Sequence, residues 1–205
     1  MIEKHLAWRA EMLPVDKDDP KVVAELDKGV FRCVGKDADG RPVLLFAANK
    51  NKTSERVVED VIRMMCYVME EAIASMPAGI ENFSLILFAP YGTELDIGLV
   101  SALASTFQDN YPERLHKLYA LPTGMLTRVM WEAVRPFLSA NTAAKVVLTS
   151  GGHRPRELEN VMPVEVLREA LVEMDPQEND PWAEGYVSRE ASREPSEASS
   201  SSDSD

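Results

Sequence analysis

Six residues near the middle of the chain, Phe83-Ser84-Leu85-Ile86-Leu87-Phe88, form a near-continuous apolar run. A strand of this kind has to be covered on both faces, which is the situation of a central strand in a parallel sheet. The surrounding sequence supplies the cover. Upstream, Val57, Val58, Val61, Ile62, Met65, Val68, Met69, Ala72 and Ile73 recur at the spacing of one buried helical stripe. Ser54 is a candidate cap for that helix, beginning near Glu55, and Met76-Pro77-Ala78-Gly79 ends it. Downstream, residues 96–110 read as a helix with Ile97, Val100, Leu103, Ala104 and Phe107 inward. Residues 115–121 then read as a strand, 125–138 as a helix, 145–149 as the last strand, and 156–173 as mostly helical, interrupted by Pro163. Near the start, residues 29–34 and 42–47 are short β-rich runs joined by the turn signal Lys36-Asp37-Ala38-Asp39-Gly40-Arg41. The alternation implies an α/β fold: a mostly parallel central sheet flanked by helices.

The 205 residues are 45% hydrophobic, enough for a proper core. No apolar run approaches the roughly 18–20 residues of a membrane-spanning helix. The opening Met1-Ile2-Glu3-Lys4-His5 lacks the basic and apolar regions of a signal peptide. Cys33 and Cys66 are too few for a disulfide scaffold or a four-cysteine zinc site. A soluble, intracellular, reduced chain is expected. Of the net charge of −12, residues 173–205 carry −8, leaving −4 for the other 172 residues. No basic cluster is present to neutralise phosphates, so nucleic acid is not an expected partner. Residues 175–205 read as a disordered, acidic, Ser-rich tail whose terminal serines sit among acids and are candidates for phosphorylation.

The chain has no G-x-S-x-G elbow and no phosphate-binding G-x-x-x-x-G-K-[ST] loop, and Ser150-Gly151-Gly152-His153 lacks the third glycine of a dinucleotide loop. His5, His116 and His153 are too scattered for an H-E-x-x-H pair. Cys33 in a strand run and Cys66 on the apolar side of a helix read as packing residues rather than nucleophiles. Asp37-Ala38-Asp39-Gly40 lacks the further ligands and the twelfth-position glutamate of an EF-hand loop, so it reads as a turn. Neither an enzyme, a metal nor a cofactor is expected.

The stretch 125–138 carries Met125, Leu126, Val129, Met130, Ala133, Val134, Phe137 and Leu138 at apolar positions, with Trp131 beside the stripe and Arg128, Glu132 and Arg135 on the polar side. By periodicity alone it is an ordinary amphipathic helix. Ten methionines tilt the reading slightly towards an adaptable apolar pocket.

Residues 109–146 then resemble a known family. Asp109-Asn110-Tyr111-Pro112-Glu113-Arg114-Leu115-His116-Lys117-Leu118-Tyr119 is similar to the "q-d-x-Y-P-E-R-L-x-K-x-Y" core of the CRAL-TRIO lipid-binding family. Trp131-Glu132-Ala133-Val134-Arg135-Pro136-Phe137-Leu138 resembles its "W-x-x-v-k-P-F-L" helix. Asn141-Thr142-Ala143-Ala144-Lys145-Val146 resembles its "x-T-x-x-K-I", and Asp39-Gly40-Arg41-Pro42-Val43 its "D-x-x-G-R-P-V". The resemblance spans roughly residues 20–165. It implies a remnant N-terminal helix over 1–15, where Leu6-Ala7-Trp8-Arg9 resembles the end of the family's helical domain, and a lipid-binding domain over 16–174. It also implies an apolar cavity under a gating helix, with Met125, Leu126, Val129, Met130, Val134 and Phe137 as gate and pocket.

In the phosphatidylinositol-binding branch the counterparts of Glu113 and Lys145 help hold the lipid head group, so these two are the implied head-group residues. The implied function is binding and transfer of a phospholipid or phosphoinositide between cytoplasmic membranes, with peripheral, transient docking. The acidic tail is a possible contact for protein partners. An alternative remains open: an interaction module whose cavity is packed by Met64, Met65, Met69, Phe88, Phe107, Met125 and Met130. Phe88-Ala89-Pro90 and Met162-Pro163-Val164 depart from the family's usual acid and glycine-bearing segments.

Acids in a tail oppose docking on an anionic membrane. Removing residues 175–205 is expected to strengthen binding to anionic vesicles in a flotation assay; unchanged or weaker binding would count against that role.

Overall fold

The computed structural model describes residues 2–90, 92–121, 125–149, 155–159 and 161–172, with the side chains at 2, 125, 126, 156 and 169–172 outside the description. The expected tail over 175–205 and the Ser150–His153 glycine pair lie outside the described residues. Helices α1 (Ile2–Met12) and α2 (Pro20–Asp27) lead into the hairpin β1 (Phe31–Lys36) and β2 (Pro42–Ala47). Then come α3 (Val58–Ala74), β3 (Phe83–Phe88), α4 (Ile97–Asn110), β4 (Leu115–Leu121), α5 (Met125–Val134), α6 (Ala140–Ala144) and β5 (Val146–Leu148). Two helices, α7 (Arg156–Glu159) and α8 (Val164–Val172), follow. The five strands lie in chain order in one sheet; β1 is antiparallel to β2 and every later pairing is parallel. This is the expected α/β fold.

The apolar run at β3 divides its residues between two covers, as strand geometry requires. Ile86 and Phe88 are fully buried in a core that also holds Val43, Leu45, Tyr119 and Leu121 of the sheet together with Leu158, Met162 and Leu167 of the C-terminal segment. Phe83 and Leu85 look the other way, into a core shared with α3 and α4, where Met64, Cys66 and Leu99 are almost fully buried.

The C-terminal cover sits close. Gly35 in β1 has φ +137°, and a Cβ placed there would lie 2.8 Å from a Val166 methyl of α8. The hairpin turn is fastened by Asp37, whose buried carboxylate accepts from the main-chain N–H of Asp39 (3.0 Å) and Arg41 (2.9 Å) and from the Ser84 hydroxyl of β3 (2.9 Å). The Ala38 N–H donates to Val161 O at 2.8 Å, so turn and C-terminal segment are stitched together. The Asp-x-Asp-Gly fragment is thus a turn whose first carboxylate is engaged by the turn's own main chain and by Ser84 of β3.

Several local expectations need correction. α3 starts at Val58 rather than near Glu55: Ser54 lies in a tight turn over Thr53–Glu55, and no side chain caps the helix at Val57. Arg56 is extended, and its guanidinium is tied to the Asp96 carboxylate, which draws the segment away from a helical start. Val57, assigned to the buried stripe, is consequently exposed. In α4, Ile97 points outward and Leu99 is the buried residue, because Asp96 caps the helix and accepts from the Leu99 N–H at 2.9 Å. Cys66 is buried as read, but Cys33 is exposed on the edge strand, beside the bulge between Cys33 and Gly35. The 125–138 helix ends at Val134, and Arg135–Phe137 tightens into a 3₁₀ turn at Pro136. The helix α2 was missed; Asp19-Pro20, a capping acid followed by proline at the first helical position, was the available signal.

Gly35→Ala is expected to cost about 1–3 kcal/mol in urea unfolding, since the backbone is unfavourable for an L-residue and the β-branched Val166 yields little. A loss below a few tenths of a kcal/mol would show that α8 is free to move off the sheet.

Candidate ligand-binding cavity

Between the sheet and its helical cover on the α3/α4 side lies a cavity of about 440 Å³. Its floor is the set of alternate strand residues on that face: Leu85 and Leu87 of β3, Leu118 and Ala120 of β4, Val146 and Leu148 of β5. These pair across the sheet as the register dictates, Leu85 with Leu118 and Leu87 with Ala120. The walls come from Met65 and Met69 of α3 and from Leu103 and Phe107 of α4. Leu85 and Leu87 are only partly buried while Ile86 between them is fully buried. The sequence pattern marks β3 as apolar on both faces, but it does not reveal that the helices on one side stand off from it.

The third side is α5, with Thr127, Met130, Trp131 and Val134 turned inward at the 3, 4 and 7 spacing of one helical face, followed by Leu138. Of the six residues expected at gate and pocket, Met130 and Val134 line the cavity. Val129 is 62% and Phe137 38% exposed, both facing away from it. The side chains of Met125 and Leu126 lie outside the described residues. The stripe chosen from sequence was thus rotated: α5 is apolar over more than half its circumference, periodicity could not say which edge faces in, and Trp131 is part of the inner wall.

Of the methionines and aromatics expected to pack the cavity, those with described side chains leave it unfilled. Met64 and Phe88 are fully buried elsewhere in the two cores, and Met65, Met69, Phe107 and Met130 line open space.

Polar groups gather at two ends of this apolar chamber. At the end formed by the starts of β4 and β5, Lys145 Nζ lies 3.0 Å from Glu113 Oε2, and Asn141 donates to Glu113 Oε1 at 2.7 Å. Residues 32 apart in sequence meet because β4 and β5 are parallel neighbours, so the residues just before them share one edge of the sheet. Glu113 holds φ +57°, the left-handed region, where a non-glycine residue is strained. Its carboxylate is 75% exposed and the lysine 21%. A pair this open contributes at most about 1 kcal/mol to stability, so the fold does not depend on it.

At the opposite end, where β2 and β3 finish, lie Asn51, Thr93, Glu94 and Asp96. Thr53 donates to Glu94 at 2.8 Å, and Arg56 pairs with Asp96. Burial raises the Asp96 pKa, but its bonds with the Arg56 guanidinium and the Leu99 N–H outweigh that and hold it below the usual carboxylate range. In the α3 core, outside the cavity lining, Cys66 is pushed up to about 11 by burial, which leaves it a neutral thiol.

The outer wall ends at Tyr111, whose ring meets Phe107 edge-on at 5.7 Å and Trp8 of α1 at 5.9 Å. Burial, with Cys66 and Glu70 close by, raises its phenol far above the ordinary value.

The CRAL/TRIO domain profile matches residues 26–171 of this sequence. This chain belongs to that family. Two CRAL-TRIO domain-containing proteins of Schizosaccharomyces pombe are similar to it. One is 26% identical over 161 residues, covering 73% of this chain and 36% of the relative; the other is 24% identical over 144 residues, covering 69% and 14%. The chain therefore spans about a third or less of the curated relatives it matches. The crystal structure of Sfh5 superposes with a TM-score of 0.61 at 18% identity, covering 75% of this chain and 60% of that one, which shows a shared fold. A CRAL/TRIO domain with an open apolar chamber of this kind binds a lipophilic ligand.

Asp96 caps α4 and pairs with the half-buried Arg56 guanidinium, so Asp96→Ala is expected to lower stability by about 2–4 kcal/mol at pH 7. Because its folded pKa is depressed, that contribution is present above the unfolded carboxylate value and fades as the pH falls through the folded one. The wild-type advantage over Asp96→Ala in thermal melts should therefore hold from pH 7 to about 5 and shrink below about 4.

Proposed function

We infer that this protein takes up a single lipid, a phospholipid or phosphoinositide, and exchanges it with cytoplasmic membrane surfaces. The observation that carries the reading is the apolar chamber with one charged, hydrogen-bonding edge at Glu113, Asn141 and Lys145. Acyl chains lie on the leucine and valine floor, and the head group sits at that edge. Lys145 neutralises phosphate, while Glu113 orients the lysine or accepts from head-group hydroxyls.

The thermodynamics favour such a carrier. Each methylene hidden from water is worth roughly 0.8 kcal/mol, so a lipid leaves a bilayer only into a comparable environment. The chamber provides one, and the swap between two apolar surroundings lowers the cost of exit. Docking is peripheral: Val129 on the outer side of α5 and Phe137 in the turn that follows it, with Leu95 and Ile97 near the far end, offer apolar side chains to an interface. The reading requires no bond-making chemistry and no cofactor.

Native mass spectrometry after incubation with vesicles of phosphatidylcholine and phosphatidylinositol, followed by lipid extraction, tests it. A one-to-one lipid adduct is expected. Lys145→Ala should shed the phosphoinositide preferentially, and Leu85→Trp, which fills the floor, should abolish every adduct while preserving the fold. A bare mass for the wild type under these conditions rejects lipid carriage.

A further inference from the structure

Gln108 stands on α4 at the cavity wall, and its side-chain amide is fully committed. Nε2 donates to Ala104 O at 2.9 Å, one turn back in the same helix, and to Phe137 O at 3.1 Å. Oε1 accepts from the Ser139 N–H. Phe137 and Ser139 flank the point where the chain leaves α5 and its terminal turn, runs extended through Leu138 (φ −102°, ψ 144°) and enters α6. A carbonyl on one side demands a donor and an N–H on the other demands an acceptor, so only one orientation of the amide serves both. The joint has few bonds of its own: Pro136 has no N–H to give, and the turn is closed by Leu138 N–H to Arg135 O at 3.1 Å.

We propose that Gln108 is the pin of the α5 hinge, a positioning residue whose paired bonds to Phe137 and Ser139 hold the helix over the cavity and set how often it swings away. The inference rests on the lipid-exchange reading, because a swinging α5 is what lets ligand pass. The pin suits that task chemically. The two bonds go to main-chain atoms on either side of one residue, so rotation at Leu138 draws the Phe137 carbonyl off the amide while Ser139 keeps the amide anchored at the start of α6. The broken bond re-forms without another side chain having to repack. The Ala104 bond keeps the amide aimed at the joint while it is empty.

The test uses the full chain and three variants. Gln108→Glu keeps the shape and the acceptor but sets a carboxylate against two carbonyls. Gln108→Met keeps the length and loses both bonds. Ser139→Ala removes the hydroxyl that caps α6 but leaves the N–H that Gln108 accepts, so it controls for simple loosening nearby. Hydrogen exchange by mass spectrometry on ligand-free protein should show peptides over 127–139 exchanging roughly tenfold faster in both Gln108 variants. Peptides from β2 and β3 should be unchanged, and Ser139→Ala should keep wild-type protection in α5.

Transfer of pyrene-labelled phosphatidylcholine between phosphatidylcholine vesicles should quicken in the same proportion. Unchanged exchange over 127–139 in both Gln108 variants overturns the proposal. So does faster exchange with transfer at the wild-type rate, or equal loosening by Ser139→Ala. A wild type that moves no labelled lipid counts against the transfer reading instead, and hydrogen exchange then decides the pin on its own.

Discussion

The same five strands bear two covers of unequal tightness, and the rest of the molecule follows from the difference. On one face α8 sits close enough to Gly35 that a single added carbon would collide with Val166, and the Asp37 carboxylate ties the hairpin to Ser84 of β3. On the other face α3 and α4 reach the sheet, while α5 faces the floor from Leu85 to Leu148 across the chamber instead of packing onto it. Interiors normally pack to crystal-like density, and an unfilled apolar space forfeits the dispersion contacts of its lining. The chamber persists because the tightly fitted face and the α3 core around Met64 and Cys66 hold the sheet without it.

Much of this was legible in the sequence. The strands at 83–88 and 115–121 and the helix ending at Asn110 follow from runs long enough for their period to be unambiguous. The motif residues Glu113 and Lys145 could be named as a pair because the family resemblance carried the pairing; nothing in their spacing alone brings them within 3.0 Å. What periodicity could not supply was phase. In α5 apolar residues cover so much of the helix that Val129 and Trp131 were interchangeable on paper, and only the position of the neighbouring floor decides that tryptophan faces in.

The missed features share a cause. Arg56 leaves the helical register because an acid 40 residues later holds its guanidinium, and Gln108 matters because of a turn 29 residues away. Long-range polar contacts leave no periodic trace. They override local preference where a charge or an amide would otherwise be buried without a partner. The cavity itself is a similar case: a strand residue facing a void and one facing a packed helix are both written as leucine.

Tyr111 has a further consequence. Its ring is at once part of the chamber wall and the surface against which Trp8 of α1 rests, 5.9 Å away and nearly perpendicular. The partition between the interior and the N-terminal helix is therefore one side chain thick. A guest that presses on that ring presses on α1 as well, and a force applied to α1 from outside is felt by the guest. The chamber and the outer surface share that one ring as a diaphragm.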